Sequence, residues 1–164
     1  MTFGSVKIAV CMLRFILFAA LNFAALGLGA YLMGVSPASN AWYEQLHKAP
    51  WTPPGWVFGA AWFSSMICFA FFMYAITKEP SSSNTGIYLV YAAQWILNVG
   101  WNPVFFRWHL VGPGLVVILF LLFTVIYFTR YGFGKQGTSG WLMLPYLVWL
   151  LLASSLNAFI LVRN

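Results

Sequence analysis

The feature that most limits how this chain can fold is its long uncharged runs: neither Leu110 to Thr129 nor Gly137 to Val162 contains an acidic or basic side chain. Each run reaches the roughly 20 apolar residues that cross a hydrocarbon core. Only 6% of the residues are charged, against about 25% in a soluble domain. Such a chain belongs in a bilayer, where every backbone N–H and C=O must find its partner within the protein. Helices meet that demand segment by segment. Barrel strands would alternate polar and apolar residues, and Val116-Val117-Ile118-Leu119-Phe120-Leu121-Leu122-Phe123 does not. The expected fold class is therefore all-α, an integral membrane bundle.

Apolar segments of helical length fall at 8–34, 54–77, 85–106, 112–131 and 140–162, which predicts five transmembrane helices in a single domain over residues 1–164. Lys7, the apolar run after it and Gly27-Leu28-Gly29-Ala30 loosely imitate a secretory signal. The run from Ile8 to Gly34 is longer than a signal's apolar core and Arg14 interrupts it, so it reads as a retained first span. Lys78 through Asn84, Arg107 through His109 and Gly132 through Ser139 are short, turn-prone links between antiparallel neighbours.

The first connection, 35–53, is too long for a tight turn and is rich in Trp, Tyr and Pro, so it is expected to be structured. Trp42, Tyr43 and Leu46 would share a short helical turn at the membrane interface, and Thr52-Pro53-Pro54 reads as an N-cap with proline in the first turn. Five spans put Lys7, Arg14, Lys78, Arg130 and Lys135 on one face and Lys48, Arg107 and Arg163 on the other. That bias predicts a cytoplasmic N-terminus.

The formal charge of +6 is carried by single residues near span ends, the pattern of lipid anchors rather than of a nucleic-acid surface. Glu44 and Glu79 are the only acidic side chains and both lie in connections, so paired-carboxylate catalysis, a proton relay and a hard-cation site lack residues. His47 and His109, the only histidines, share one face and read mainly as surface groups; no metal site is expected. Cys11 and Cys68 lie in apolar runs as small hydrophobes. Neither a phosphate-cradling glycine loop nor a serine nucleophile elbow occurs.

What remains is polar and aromatic. Gln94, Asn98 and Asn102 recur every four residues, stacking amides on one helix face with Trp101 and Phe105 alongside. Trp149, Ala153 and Asn157 repeat the spacing in the last span, flanked by Tyr146 and Leu156; Asn22 in the first span and Ser64 and Ser65 in the second are expected to complete an inward-facing set. Amides and small residues also serve as interhelical glue. Nine Trp residues exceed what two interfacial belts require, and Trp95, Trp101 and Trp149 sit well inside spans. Planar walls with a few amide handles suit a flat, mostly apolar ligand.

Three segments carry a family resemblance: Trp42 through Phe58, including Ala49-Pro50-Trp51-Thr52-Pro53-Pro54-Gly55-Trp56; Gln94 through Phe106, including Trp101-Asn102-Pro103; and Pro145-Tyr146-Leu147-Val148-Trp149 through Asn157. In that order and spacing they resemble the translocator protein family, also known as the peripheral-type benzodiazepine receptor or tryptophan-rich sensory protein family. The resemblance implies a five-helix bundle, commonly a homodimer, with the first loop as a lid over a pocket for porphyrins, haem and aromatic drugs. By position it implies Trp51 at the lid, Asn98 and Trp101 on the third-span wall, and Trp149, Ala153 and Asn157 on the fifth. The periodicity adds Phe105 and Tyr146 as ligand-binding candidates. The family's sterol motif departs here, since Phe159 to Asn164 lacks the tyrosine; Val125 to Arg130 matches only the loose sterol pattern.

The leading expectation is a tetrapyrrole-binding sensor, scavenger or translocator needing no cofactor, with Lys48 and Arg107 facing the propionates. A second is light- and oxygen-dependent porphyrin breakdown through Trp51 and Trp149, as the resemblance implies. A third is a generic small-molecule or sterol transporter kinked at Pro103 and Pro145.

Overall fold

The computed structural model describes residues 3–78 and 84–164, with side chains described from Cys11 onward except Gln136. Glu79 to Ser83 of the second connection and the Lys7 side chain therefore lie outside the described residues. Six α-helices follow in order: α1 (Phe3–Met33), α2 (Ala41–Gln45), α3 (Gly55–Thr77), α4 (Asn84–Asn102), α5 (Val111–Gln136) and α6 (Leu144–Arg163). Among the described residues there is no strand. The long helices close a ring: α1 packs on α3 and α4, α4 on α5, α5 on α6, and α6 back on α3.

Among the described residues, four stretches are long and apolar enough to cross a membrane: Cys11–Ser39, Gly55–Thr77, Val111–Lys135 and Ser139–Arg163. α4 is a fifth helix of 19 residues. Its apolar character is diluted by Gln94, Asn98 and Asn102, the same residues that form its inward stripe. The last two predicted boundaries shift. α5 continues to Gln136 where a loop is expected from Gly132, and a 3₁₀ turn, Ser139–Met143, precedes α6. Pro145 consequently sits in the first turn of α6, where its missing N–H costs little, and is not a kink point.

Pro103 does interrupt a helix. Lacking an N–H, it ends the regular ladder of α4, and the chain widens into a π-helical turn, Pro103–Arg107. The Trp108 N–H donates to the Pro103 carbonyl (2.9 Å) and the Leu110 N–H to the Val104 carbonyl (3.0 Å). His109 then reverses the chain at φ 56°, its ring stacked on Trp42 with centroids 4.2 Å apart.

Thr52 is not the N-cap of α3. A residue that precedes proline is disfavoured in the helical region, which applies to both Thr52 and Pro53; Pro54 (ψ 149°) is the N-cap, the helix starts only at Gly55, and the Thr52 N–H closes a turn onto the Ala49 carbonyl (2.9 Å). The far end of α3 is sealed by α1. Arg14 Nη1 donates to the Thr77 carbonyl (2.8 Å) and the Lys78 carbonyl (2.9 Å), satisfying helix-terminal acceptors and opposing their partial negative charge.

The interior is unevenly filled. Near the Arg14 end, Phe69, Phe72, Phe128, Met73 and Met143 are fully buried and interdigitate. There α5 meets the 3₁₀ turn so closely that a Cβ on Gly132 would lie 2.8 Å from the Gly140 backbone nitrogen. Toward the first loop the core gives way to a smaller cluster of Phe105, Phe106 and Ile160.

Candidate binding site

The first loop folds onto that smaller cluster. Asn40 organises it twice over: its Oδ1 accepts from the Tyr43 N–H (3.1 Å) and starts α2, while its Nδ2 donates to the Phe106 carbonyl on the π turn (3.1 Å). Trp42 and Tyr43 are therefore packed against protein by this docking. Trp42 meets Phe105 edge-on at 5.6 Å, and Tyr43 meets Phe106 at 5.3 Å. Burial in this contact raises the Tyr43 phenol above its ordinary value of 10.0. The loop is also pinned at the C-terminus, where Asn164 Oδ1 accepts from the His47 N–H (2.9 Å).

Beneath the loop lies a small hollow of about 30 Å³. Its walls come from α3 (Phe58, Trp62), from α4 and its π turn (Trp101, Phe105, Phe106), from α6 (Trp149, Ala153, Leu156, Asn157, Ile160) and from Tyr43 of the loop. The rings brace one another. Trp149 meets Phe58 edge-on at 5.1 Å and Trp62 at 6.2 Å, and Trp101 stacks on Phe105 at 5.5 Å. Polar handles are few and one is idle: the buried Trp149 indole N–H has no hydrogen-bond partner. With its amide oriented so that Nδ2 donates to the Val111 carbonyl (3.1 Å), Asn157 accepts from the Leu115 N–H at 3.3 Å and ties α6 to the start of α5.

A larger space of about 580 Å³ opens beside it, between the loop and the start of α3, lined by Ser36, Glu44, Lys48, Thr52 and Gly55 among others. Tyr43 and Phe58 belong to both linings, so two rings form the partition. The Lys48 ammonium sits 4.7 Å above the Tyr43 ring on this outer side.

A ring-walled hollow, roofed by the first connection and held by three helices, is the arrangement that the three sequence segments imply, and residues 15–163 match the TspO/MBR family. The chain belongs to the TspO/MBR family. It is 32% identical over 119 residues to the tryptophan-rich sensory protein of Cereibacter sphaeroides, covering 72% of this chain and 73% of that protein. It is 35% identical over 137 residues to the tryptophan-rich protein TspO of Chlorobaculum tepidum, covering 79% and 84%. With the human translocator protein it shares 29% over 119 residues, 71% of this chain and 70% of the relative.

Within this TspO/MBR chain the candidate residues separate into three groups. Trp101, Phe105, Trp149, Ala153 and Asn157 converge on the hollow. Asn98 and Tyr146 are buried but off its wall: Asn98 Nδ2 faces the Met66 sulfur at 3.9 Å, and the Tyr146 hydroxyl accepts from Gln94 Nε2 at 2.8 Å. Trp51 is outside, half exposed, donating through Nε1 to Ser155 Oγ (3.1 Å) and meeting Phe159 at 5.3 Å. Trp51 does not line the hollow that Trp149 lines, so the two indoles named for breakdown chemistry are not brought together there. Lys48 borders the outer space, and Arg107 is exposed at the end of the π turn.

Other amides act as glue. Asn22 Nδ2 donates to the Met66 carbonyl (3.0 Å) and its Oδ1 accepts from the Tyr91 hydroxyl (2.7 Å), joining α1, α3 and α4. Trp95 Nε1 donates to the Leu21 carbonyl (2.9 Å). Ser64 does not face inward as expected: it is exposed and bonds within its own helix to the Ala61 carbonyl (3.1 Å), whereas the Ser65 hydroxyl is buried unpaired. The α3 wall was missed: Phe58 and Trp62 stand four apart on one face, a spacing as legible as that of Trp149 and Ala153.

Proposed function

We propose that this chain is a membrane binding protein for a tetrapyrrole of the porphyrin or haem type, held between the ring walls of the hollow beneath the first loop. The observation that carries the reading is the convergence of rings from α3, α4 with its π turn, and α6 on one apolar space, one of whose wall residues, Trp149, has a buried indole N–H without a partner. A macrocycle offers the complementary surface: a flat π face for the rings and peripheral polar groups for that donor. The hollow of 30 Å³ does not hold such a guest in this conformation. Binding requires Tyr43 and Phe58 to part, which would join the hollow to the 580 Å³ space beside it and bring Lys48 to the rim. There its ammonium would meet a propionate.

The reading also takes α4, prolonged by its π turn, as a fifth span. Residues 84–107 at 1.5 Å per residue extend about 36 Å, enough for a core of about 30 Å. Their amides are turned into the bundle rather than to lipid. Five spans set the first loop and the Arg14 end on opposite sides of the bilayer, with the N-terminal end in the cytoplasm.

Protoporphyrin titrated against tryptophan fluorescence in detergent tests the binding site. Saturable quenching that weakens at least tenfold in Ala153→Leu is the expected result. Equal affinity in the wild type and that variant, with both folded, removes the hollow as the site.

A further inference from the structure

The outer space of about 580 Å³ differs from the hollow in carrying charge, and its lining carries one group of each sign, Lys48 and Glu44. Glu44 is the only acidic side chain among the described residues. The short helix α2 sets its place: the Glu44 N–H donates to the Asn40 carbonyl (2.9 Å), and the residue before it is Tyr43, whose ring divides the two spaces. Lys48 approaches that same ring, its ammonium 4.7 Å from the centroid. A cation and an anion thus stand together where a guest leaving the hollow would emerge.

The other basic groups at this end of the bundle are placed elsewhere. Arg107 is exposed at the end of the π turn, the Arg163 guanidinium is 5.7 Å from the Phe159 ring on α6, and the His109 ring is stacked on Trp42. None of them, nor His47, lines the outer space. Beyond the two charges its polar side chains are neutral, the hydroxyls of Ser36 and Thr52.

The two propionates of protoporphyrin and haem leave from neighbouring pyrrole rings, so a macrocycle that sets one against Lys48 carries the other into the same space. There the second carboxylate meets Glu44 and finds no second cation. Neighbouring carboxylates disfavour each other's charge, whereas an ester carbonyl in that place can accept from a hydroxyl. We propose that the guest is a tetrapyrrole with a single free carboxylate, its other acid group esterified or absent, and that Glu44 is the residue that selects it. This rests on the reading that a tetrapyrrole is held beneath the first loop, and it names which class of tetrapyrrole. Both side chains are exposed, so water screens them and the selection is graded, not absolute.

Protoporphyrin, its monomethyl ester and its dimethyl ester share one macrocycle and differ in the number of free carboxylates. Each is titrated against the tryptophan fluorescence of the full chain in neutral detergent. The monomethyl ester should bind tightest, about threefold to fivefold better than the diacid, the scale of an exposed charge pair. The dimethyl ester should bind more weakly than the monoester, because it leaves Lys48 without a partner. Glu44→Gln should bring the diacid level with the monoester, and Lys48→Gln should bring the monoester down to the dimethyl ester. Raised ionic strength should narrow the wild-type difference. A preference set by apolarity alone would rank the dimethyl ester first and persist in Glu44→Gln, and either result overturns the proposal. So does a wild type that binds the diacid as tightly as the monoester. Failure of the tetrapyrrole reading itself looks different: no saturable quenching by any of the three, or quenching that Ala153→Leu leaves unchanged, removes the binding site and this selection with it.

Discussion

Ala153 is the smallest side chain on the wall of the hollow, and it sits one helical turn from Trp149. Its smallness is what leaves a gap between the rings, so the Ala153→Leu substitution tests occupancy while leaving every hydrogen bond in place. Trp149→Phe tests the idle donor instead. It keeps most of the ring surface and removes the N–H, and porphyrin affinity should fall about fivefold, the worth of one hydrogen bond near 1 kcal/mol. Fluorescence titration of both variants checks this, and equal losses are not expected. Asn22 is a different kind of buried polar residue, with both ends of its amide engaged across three helices. Asn22→Leu should destabilise the bundle by about 1 kcal/mol, read as a shift in the unfolding midpoint in mixed micelles. Porphyrin affinity should be unchanged, because Asn22 does not touch the hollow. From sequence, Asn22, Asn98 and Asn157 look alike: each is an amide in an apolar run. Which is glue and which faces a cavity depends on neighbours tens of residues away, and helical periodicity reports a face without reporting what it faces.

At the scale of elements, the first loop is held by its ends and by Asn40. Asn40→Ala removes the cap of α2 and the bond to the Phe106 carbonyl together. The cap alone is worth about 1 kcal/mol. The loop should become markedly more sensitive to limited proteolysis between residues 35 and 53 while the long helices stay intact. If Tyr43 and Phe58 gate the hollow, this variant should also bind porphyrin faster, as stopped-flow quenching would show. The opposite end of the bundle is closely packed. Gly132→Ala would drive a methyl group into the Gly140 backbone, which cannot rotate away as a side chain can. A loss of about 2 kcal/mol is expected from such overpacking, measured by thermal unfolding. The structured first connection was legible because a stretch of 35–53 rich in Trp and Pro makes a poor flexible linker. Its docking onto Phe105 and Phe106 was not, since interfacial aromatics and protein-packed aromatics have the same composition.

For the whole molecule, the proposed fifth span makes the sharpest prediction. Lys48→Cys on the first loop and Lys135→Cys at the end of α5 should react with a membrane-impermeant maleimide from opposite sides of sealed vesicles. Labelling of both from one side would mean that α4 does not cross. Membership of a bilayer and an all-helical fold followed from the sequence alone, because uncharged runs of this length leave the backbone no partner but itself. The limits of α3 and the starts of α4 and α5 lie within a residue of those read from the sequence, whereas α5 runs past Arg130 to Gln136 and α6 starts only at Leu144. Only the tertiary structure decided that aromatic residues of α3, α4 and α6 close one hollow while Trp51 turns outward to α6. Lipid and protein interior are nearly equal as solvents for a ring, so hydrophobicity cannot say which way an intramembrane tryptophan points; the packing of its neighbours does.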